Sequence, residues 1–216
     1  MAIATKSTWD YLELYRRADL FRTDPDIAVT PSHHRYSSSK VNKLTDEYST
    51  WIDQYLAQGW RAFLLSFMFK PLSNGTRITQ MSDEIERLYS TLITRVVRNP
   101  RCPFKSHLRP ILIVVPDFPV RKRQKQSFND ISINGGLHMH GIILMPPKSR
   151  LKGDLLLHFK EYEGLYVKNR LLRLDGKAID SNLPRVVDYV FKSVKKHKVT
   201  FDDIVIFPKS EGEAAA

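Results

Sequence analysis

Among its 216 residues the chain has one cysteine, Cys102. No internal disulfide can form, and no cysteine set at zinc-finger spacing is present. Long apolar runs are missing as well. Phe63 to Phe69 and Ile111 to Val115 have the length of strands and fall far short of a membrane span. The first residues lack the apolar stretch of a secretion signal. No basic amphipathic segment carries the aromatic face that would lie in a bilayer interface. A soluble, cytoplasmic protein is therefore expected. There is no Gly-rich loop ending in Lys-Ser or Lys-Thr, so any helicase motor must lie outside this sequence. Repeats and low-complexity tracts are absent.

Negative charge is also scarce. Lys and Arg number 34 against 23 Asp and Glu, which leaves +11. Such an excess concentrates phosphates near the surface and supplies the salt-sensitive part of nucleic-acid affinity. It favours a nucleic-acid partner without specifying any chemistry.

Residues 1–58 read as an N-terminal extension or helical arm. A short helix is expected over Trp9 to Leu20, and another from Asp46 to Gln58, capped by Thr45 and ended by Gly59. His33 and His34 lie in a polar stretch and receive no role. The body of the protein is placed at 59–210, with a tail at 211–216. Aromatic and apolar residues from Trp60 to Lys70 predict a buried strand. A helix follows with Ser82 as N-cap, its apolar residues recurring at Ile85, Leu88, Tyr89, Leu92, Ile93 and Val96 until Asn99-Pro100 stops it. Further strands are expected at Leu108 to Val115, Leu137 to Met145 and Phe201 to Phe207. A helix and a hairpin around Asp175-Gly176 fall between 150 and 180, and a strong helix covers Pro184 to Lys198, capped by Ser181 or Asn182. This succession predicts an α+β protein: a central antiparallel sheet with helices mainly on one face, in a ferredoxin-like or RRM-like split arrangement.

Two constellations carry chemistry. In Leu137-His138-Met139-His140, alternation along a strand points both imidazoles to one face and Met139 to the other. Two histidines on a rigid strand, joined by a carboxylate or amide from a neighbouring strand, can hold Mg²⁺ or Mn²⁺ and leave positions open for a phosphate oxygen. A His-x-His tripeptide also occurs in ordinary cores. In the last helix, Leu183, Val187, Val190, Phe191 and Val194 form the core stripe, and Tyr189 falls away from it on a face shared with Arg185, Lys192 and Lys196. A surface tyrosine lying over lysine stems would give the same pattern. A phenol ionises near pH 10, so a tyrosine nucleophile needs cations or a metal beside it. It must also reach the face that holds the metal, which a helix set at an angle along the sheet edge would permit.

His138-Met139-His140 on a strand, followed roughly fifty residues later by Tyr189 and Lys192 as Tyr-x-x-Lys on a helix, resembles the HUH endonuclease superfamily. The single tyrosine is closest to the Rep-type initiators of rolling-circle replication. Phe63-Leu64-Leu65-Ser66-Phe67 sits where that family has its first motif. The resemblance covers about residues 60–207. It implies a site of His138, His140, a third polar ligand and Tyr189, with Lys192 beside it. The tyrosine would attack single-stranded DNA at an origin or hairpin nick site, form a 5′-phosphotyrosine bond and leave a 3′-hydroxyl for a host polymerase, with a host helicase as a further partner. Asp117 is the first choice for the third ligand. The long stretch before His138 leaves Asp130 as the alternative. Arg121, Lys122, Arg123 and Lys125 in that stretch, with Arg185, Lys195 and Lys196, are the expected DNA contacts. Two rivals remain. One is an HUH transposase or relaxase. The other is a non-catalytic RRM-like binding domain, which would stack bases on Phe63, Phe67 and Phe69.

Overall fold

The computed structural model describes residues 37–73, 76–118, 133–151 and 153–209. The expected Trp9 to Leu20 helix, His33, His34, the basic stretch Arg121 to Gln126 and Asp130 lie outside them.

Five strands form one antiparallel sheet. They are β1 (Arg61–Phe69), β2 (Ile111–Asp117), β3 (His138–Met145), β4 (Leu171–Ala178) and β5 (Val205–Phe207), in the order β4-β1-β3-β2-β5. The helices are α1 (Ser38–Ala57), α2 (Arg77–Val96), α3 (Leu155–Glu161), α4 (Glu163–Tyr166), α5 (Leu183–Val190) and α6 (Lys192–Lys195). From β1 to β4 the chain follows the strand–helix–strand–strand–helix–strand succession of a ferredoxin-like fold. The α+β architecture is as expected.

Alternation sorts the strand residues between two cores. Phe63, Leu65, Phe67 and Phe69 of β1, Leu112 and Val114 of β2, and Met139, Ile143 and Met145 of β3 join Ile85, Leu88 and Leu92 of α2 and Leu155 and Phe159 of α3 in one cluster. All three candidate stacking phenylalanines are inside it, each no more than 2% exposed, so they cannot offer a base-binding surface. The opposite face presents Ile113, Val115, His140, Ile142 and Leu144, and it is covered too. Val187, Val190, Phe191 and Val194 are buried, and α5 lies against β2 and β3. Helices therefore pack on both faces, not mainly on one. The second layer exists because α1 joins it: its buried Tyr48 sits 4.6 Å, ring to ring, from Phe191. The helix assigned to an N-terminal arm thus belongs to the same compact unit as the sheet.

Several element ends differ from expectation, for local reasons. Helix α1 starts at Ser38 under a Ser37 cap, whose hydroxyl accepts from Lys40 N–H. Thr45 is inside the helix, donating to the Val41 carbonyl. Ser82 likewise donates to Ile78 within α2 instead of capping it. Asn182 stands at the N-cap of α5 as expected, but in a left-handed conformation with no side-chain cap bond. No hairpin forms at Asp175-Gly176. β4 runs straight through, pairing Asp175 with Ser66 and Gly176 with Leu65; a Cβ at Gly176 would fall 2.4 Å from Leu156 and 3.1 Å from Leu65, so the bare glycine lets α3 close on the strand. The last helix also breaks in two at Phe191.

Candidate metal centre

Strand pairing builds the site. Asp117, the last residue of β2, stands opposite His138, and Val115 stands opposite His140. On its other side His140 pairs with Ser66 of β1. One carboxylate and two imidazoles thereby meet at one end of the sheet, on the face that α5 covers. His138 Nε2 lies 3.2 Å and His140 Nε2 3.4 Å from Asp117 Oδ2. The two Nε2 atoms are 3.1 Å apart.

The orientation of the rings is fixed from behind. His138 Nδ1 lies 2.9 Å from the Gly136 carbonyl. A carbonyl only accepts, so Nδ1 carries the hydrogen, and in the neutral ring Nε2 is left as a lone pair aimed into the cluster. His140 Nδ1 has Ser66 Oγ at 2.9 Å. The turn that supplies Gly136 is itself held by Asn134, buried and left-handed, whose amide donates to the Lys70 carbonyl at 3.0 Å and accepts from Leu72 N–H at 2.8 Å. Ser193 Oγ donates to Asp117 Oδ1 and accepts from Phe118 N–H.

Asp117 is fully buried. Its Oδ2 receives no hydrogen bond of regular geometry, although Lys192 Nζ approaches to 2.6 Å and both imidazoles face it. Burial alone would raise the Asp117 carboxyl. The contacts from His138, His140, Lys192 and Ser193 outweigh burial and hold it well below the usual carboxylate range. Burial also lowers His140, against the opposing pull of Asp117. The group is thus an anion faced by two rings, of which His140 is held toward its neutral form.

These residues fit a metal ion. Two imidazole Nε2 atoms and a carboxylate oxygen converge at 3.1–3.4 Å, a nitrogen and oxygen donor set of the kind a divalent ion binds. Those separations are what neighbouring ligands adopt around one ion with bonds of about 2.1 Å. Asp117, His138 and His140 can therefore hold a metal. Asp117 was the expected third ligand.

Tyr189 reaches the same point. Its hydroxyl is 3.0 Å from His140 Nε2, and the residue is 42% exposed. No placement along the sheet edge is needed, because α5 lies on the face that bears the histidines. Lys192 Nζ sits 4.1 Å from the centre of the Tyr189 ring as well as on Asp117, so one ammonium touches both the anion and the phenol. Of the other expected contacts, Arg185 and Lys196 are exposed, and Lys195 pairs with Asp188. Arg121, Lys122, Arg123 and Lys125 lie outside the described residues. Sequence reasoning gave no site role to Ser66, Asn134, Gly136 or Ser193. Two carried a local signal: Ser66, within the stretch that resembles the family's first motif, and Ser193, beside Lys192. No family model, curated protein or solved structure matches the chain.

Proposed function

We propose that this protein is a metal-dependent endonuclease that cuts and rejoins single-stranded DNA through Tyr189, in the manner of HUH initiators of rolling-circle replication. The observation that carries this reading is the 3.0 Å contact between the Tyr189 hydroxyl and His140, at the rim of a three-ligand metal cluster. A solvent-open tyrosine beside a buried metal group is what a phosphodiester nucleophile requires and what core packing does not. Of the two expected ions, Mn²⁺ suits two imidazoles and one carboxylate better than Mg²⁺ does.

Bound there, the ion would supply a Lewis acid for a non-bridging oxygen of the scissile phosphate. The rest falls to the chain. Tyr189 Oη attacks phosphorus, the new Oη–P bond forms, and the bond from phosphorus to the 3′-oxygen breaks. The phenol proton passes to water, to which the ring is open, and the departing 3′-oxygen takes a proton from water. Lys192, poised over the ring, offers N–H donors to the phosphate. His138 and His140 hold position because their Nδ1 atoms are engaged by Gly136 and Ser66. One phosphodiester is exchanged for another, so the 3′-hydroxyl can reverse the step.

The test is to incubate the protein with Mn²⁺ and single-stranded DNA from its own replicon and run a denaturing gel. A slower, metal-dependent protein band that disappears in Tyr189→Phe and His138→Ala is expected. Cleavage without a covalent band would mean that water is the nucleophile and would remove Tyr189 from the mechanism.

A further inference from the structure

A second basic site lies at the other end of the sheet. β2 runs from this end toward Asp117 and β3 returns from His138, so six residues of β2 separate it from the metal cluster, on the order of 20 Å. Here Arg98, Lys105, Lys148 and Arg150 line a cavity of about 320 Å³ together with Val97 and Leu108, and no carboxylate lines it. The surrounding sequence is equally one-sided. From Arg95 to Pro116 the chain holds Arg95, Arg98, Arg101, Lys105 and Arg109 without a single Asp or Glu. Arg98, Lys148 and Arg150 are exposed around it, so these like charges face solvent and are open to an anion. Among the described contacts, only Lys105 of the four spends its side chain inside the protein, donating to the Arg98 carbonyl at 3.1 Å.

An exposed aromatic is the chain neighbour of the cavity-lining Lys105. Phe104 precedes Lys105 on the 3-10 turn Pro103–Leu108 and is 89% exposed, the most exposed large apolar side chain among the described residues. A lone exposed apolar residue needs no explanation. Next in sequence to a lysine of a basic cavity, Phe104 adds to the cations for phosphates a ring free to stack on an unpaired base.

We infer that this end of the sheet is a second, non-catalytic binding site for single-stranded DNA, with Arg98, Lys105, Lys148 and Arg150 on the backbone and Phe104 stacking on a base. Its place far from Asp117 makes it an anchor for DNA outside the cleaved step. It does not depend on Tyr189 chemistry.

The test uses fluorescence anisotropy with a labelled single strand of mixed sequence, and with a blunt duplex, over a series of salt concentrations in EDTA. Three variants are compared with the wild type: Arg98→Ala/Lys148→Ala/Arg150→Ala, Phe104→Ala, and a charge-matched control, Lys43→Ala/Lys160→Ala/Lys168→Ala. The triple variant should lose at least tenfold in affinity, and the slope of log affinity against log salt should flatten by about 2, or roughly 0.7 per lost single-strand phosphate contact. Phe104→Ala should weaken the single strand about tenfold with the slope unchanged, and leave the duplex unaffected. The inference is overturned if the triple variant binds like wild type, if the control loses as much as it does, or if Phe104→Ala changes nothing. Covalent adduct formation on a short oligonucleotide tests the nuclease reading separately. An adduct with no loss of binding in the variants sinks this site alone, and lost binding with no adduct from wild type sinks the nuclease alone.

Discussion

Replacing Asp117 by Asn keeps the shape of the cluster and removes its charge, so it separates what the carboxylate does for the fold from what it does for a metal. Without metal, the wild-type group is fully buried and takes a hydrogen bond from Ser193 and the ammonium of Lys192 at 2.6 Å. Breaking a buried ion pair costs about 3–5 kcal/mol when the remaining charge is trapped. Here Lys192 is 23% exposed and can turn toward water, and the new amide can donate to an imidazole lone pair. The loss should therefore be about 1–2 kcal/mol, or roughly 3–6 °C in melting temperature. With metal the contrast is larger. An ion at a hundred times its dissociation constant stabilises the wild type by about 2.7 kcal/mol, a rise of roughly 5–10 °C. The Asn variant, with a neutral ligand in place of the anion, should show little of that rise. Acid gives a second readout. The folded Asp117 carboxyl titrates below its unfolded range, so its stabilising effect is complete above about pH 4 and is lost as pH falls further. Metal-free wild type should thus lose stability below about pH 4 more steeply than Asp117→Asn. Differential scanning fluorimetry with and without Mn²⁺ measures both effects. Equal metal stabilisation of the two proteins would refute Asp117 as a ligand.

Other substitutions probe the support around the site. Asn134→Ala removes the amide that ties the turn to Lys70 and Leu72 in a left-handed conformation that alanine resists. It should cost about 2–3 kcal/mol and weaken Mn²⁺ binding at least tenfold, by urea titration and calorimetry. Gly141→Ala, next to His140, would put a Cβ 3.0 Å from the Ile113 carbonyl and 3.2 Å from Phe67, with rigid strands on both sides. A loss of about 1–3 kcal/mol is expected in urea titration. His158 is buried against Tyr166, its Nε2 2.8 Å from the phenol oxygen, and burial lowers its pKa. The unfolded chain then binds more protons just below about pH 6.5, so stability rises with pH through that window and levels off above it. His158→Gln should flatten this slope when urea midpoints are measured from about pH 5 to pH 8.

The fold was legible where one face of an element is apolar. The β1, β2 and β3 strands and the α2 stripe appear in the pattern of residues because each buries a continuous row. The second helical layer was not legible. α1 carries its buried Tyr48, Trp51, Ile52 and Tyr55 in a helix whose charged residues mask the stripe, and its partner Phe191 is more than 130 residues away. Helix starts were misplaced for a shared reason: Thr45 and Ser82 have the chemistry of caps but spend their hydroxyls on carbonyls one turn back. At the site, His138, His140 and Tyr189 could be singled out because period and composition mark them. Asp117 could be ranked but not chosen over Asp130, since the choice depends on the β2–β3 register. The Asn134-Gly135-Gly136 sequence marks a turn, but the roles of Ser66, Asn134 and Gly136 depend on strand pairing and long-range hydrogen bonds that the sequence does not display.

The most direct measurement is to digest the covalent protein–DNA product formed in Mn²⁺ and find by mass spectrometry which residue bears the nucleotide. The account predicts a phosphodiester on Tyr189 and on no other residue. A nucleotide on any other residue, or a cut strand with a free 5′-phosphate and unmodified protein, would contradict it.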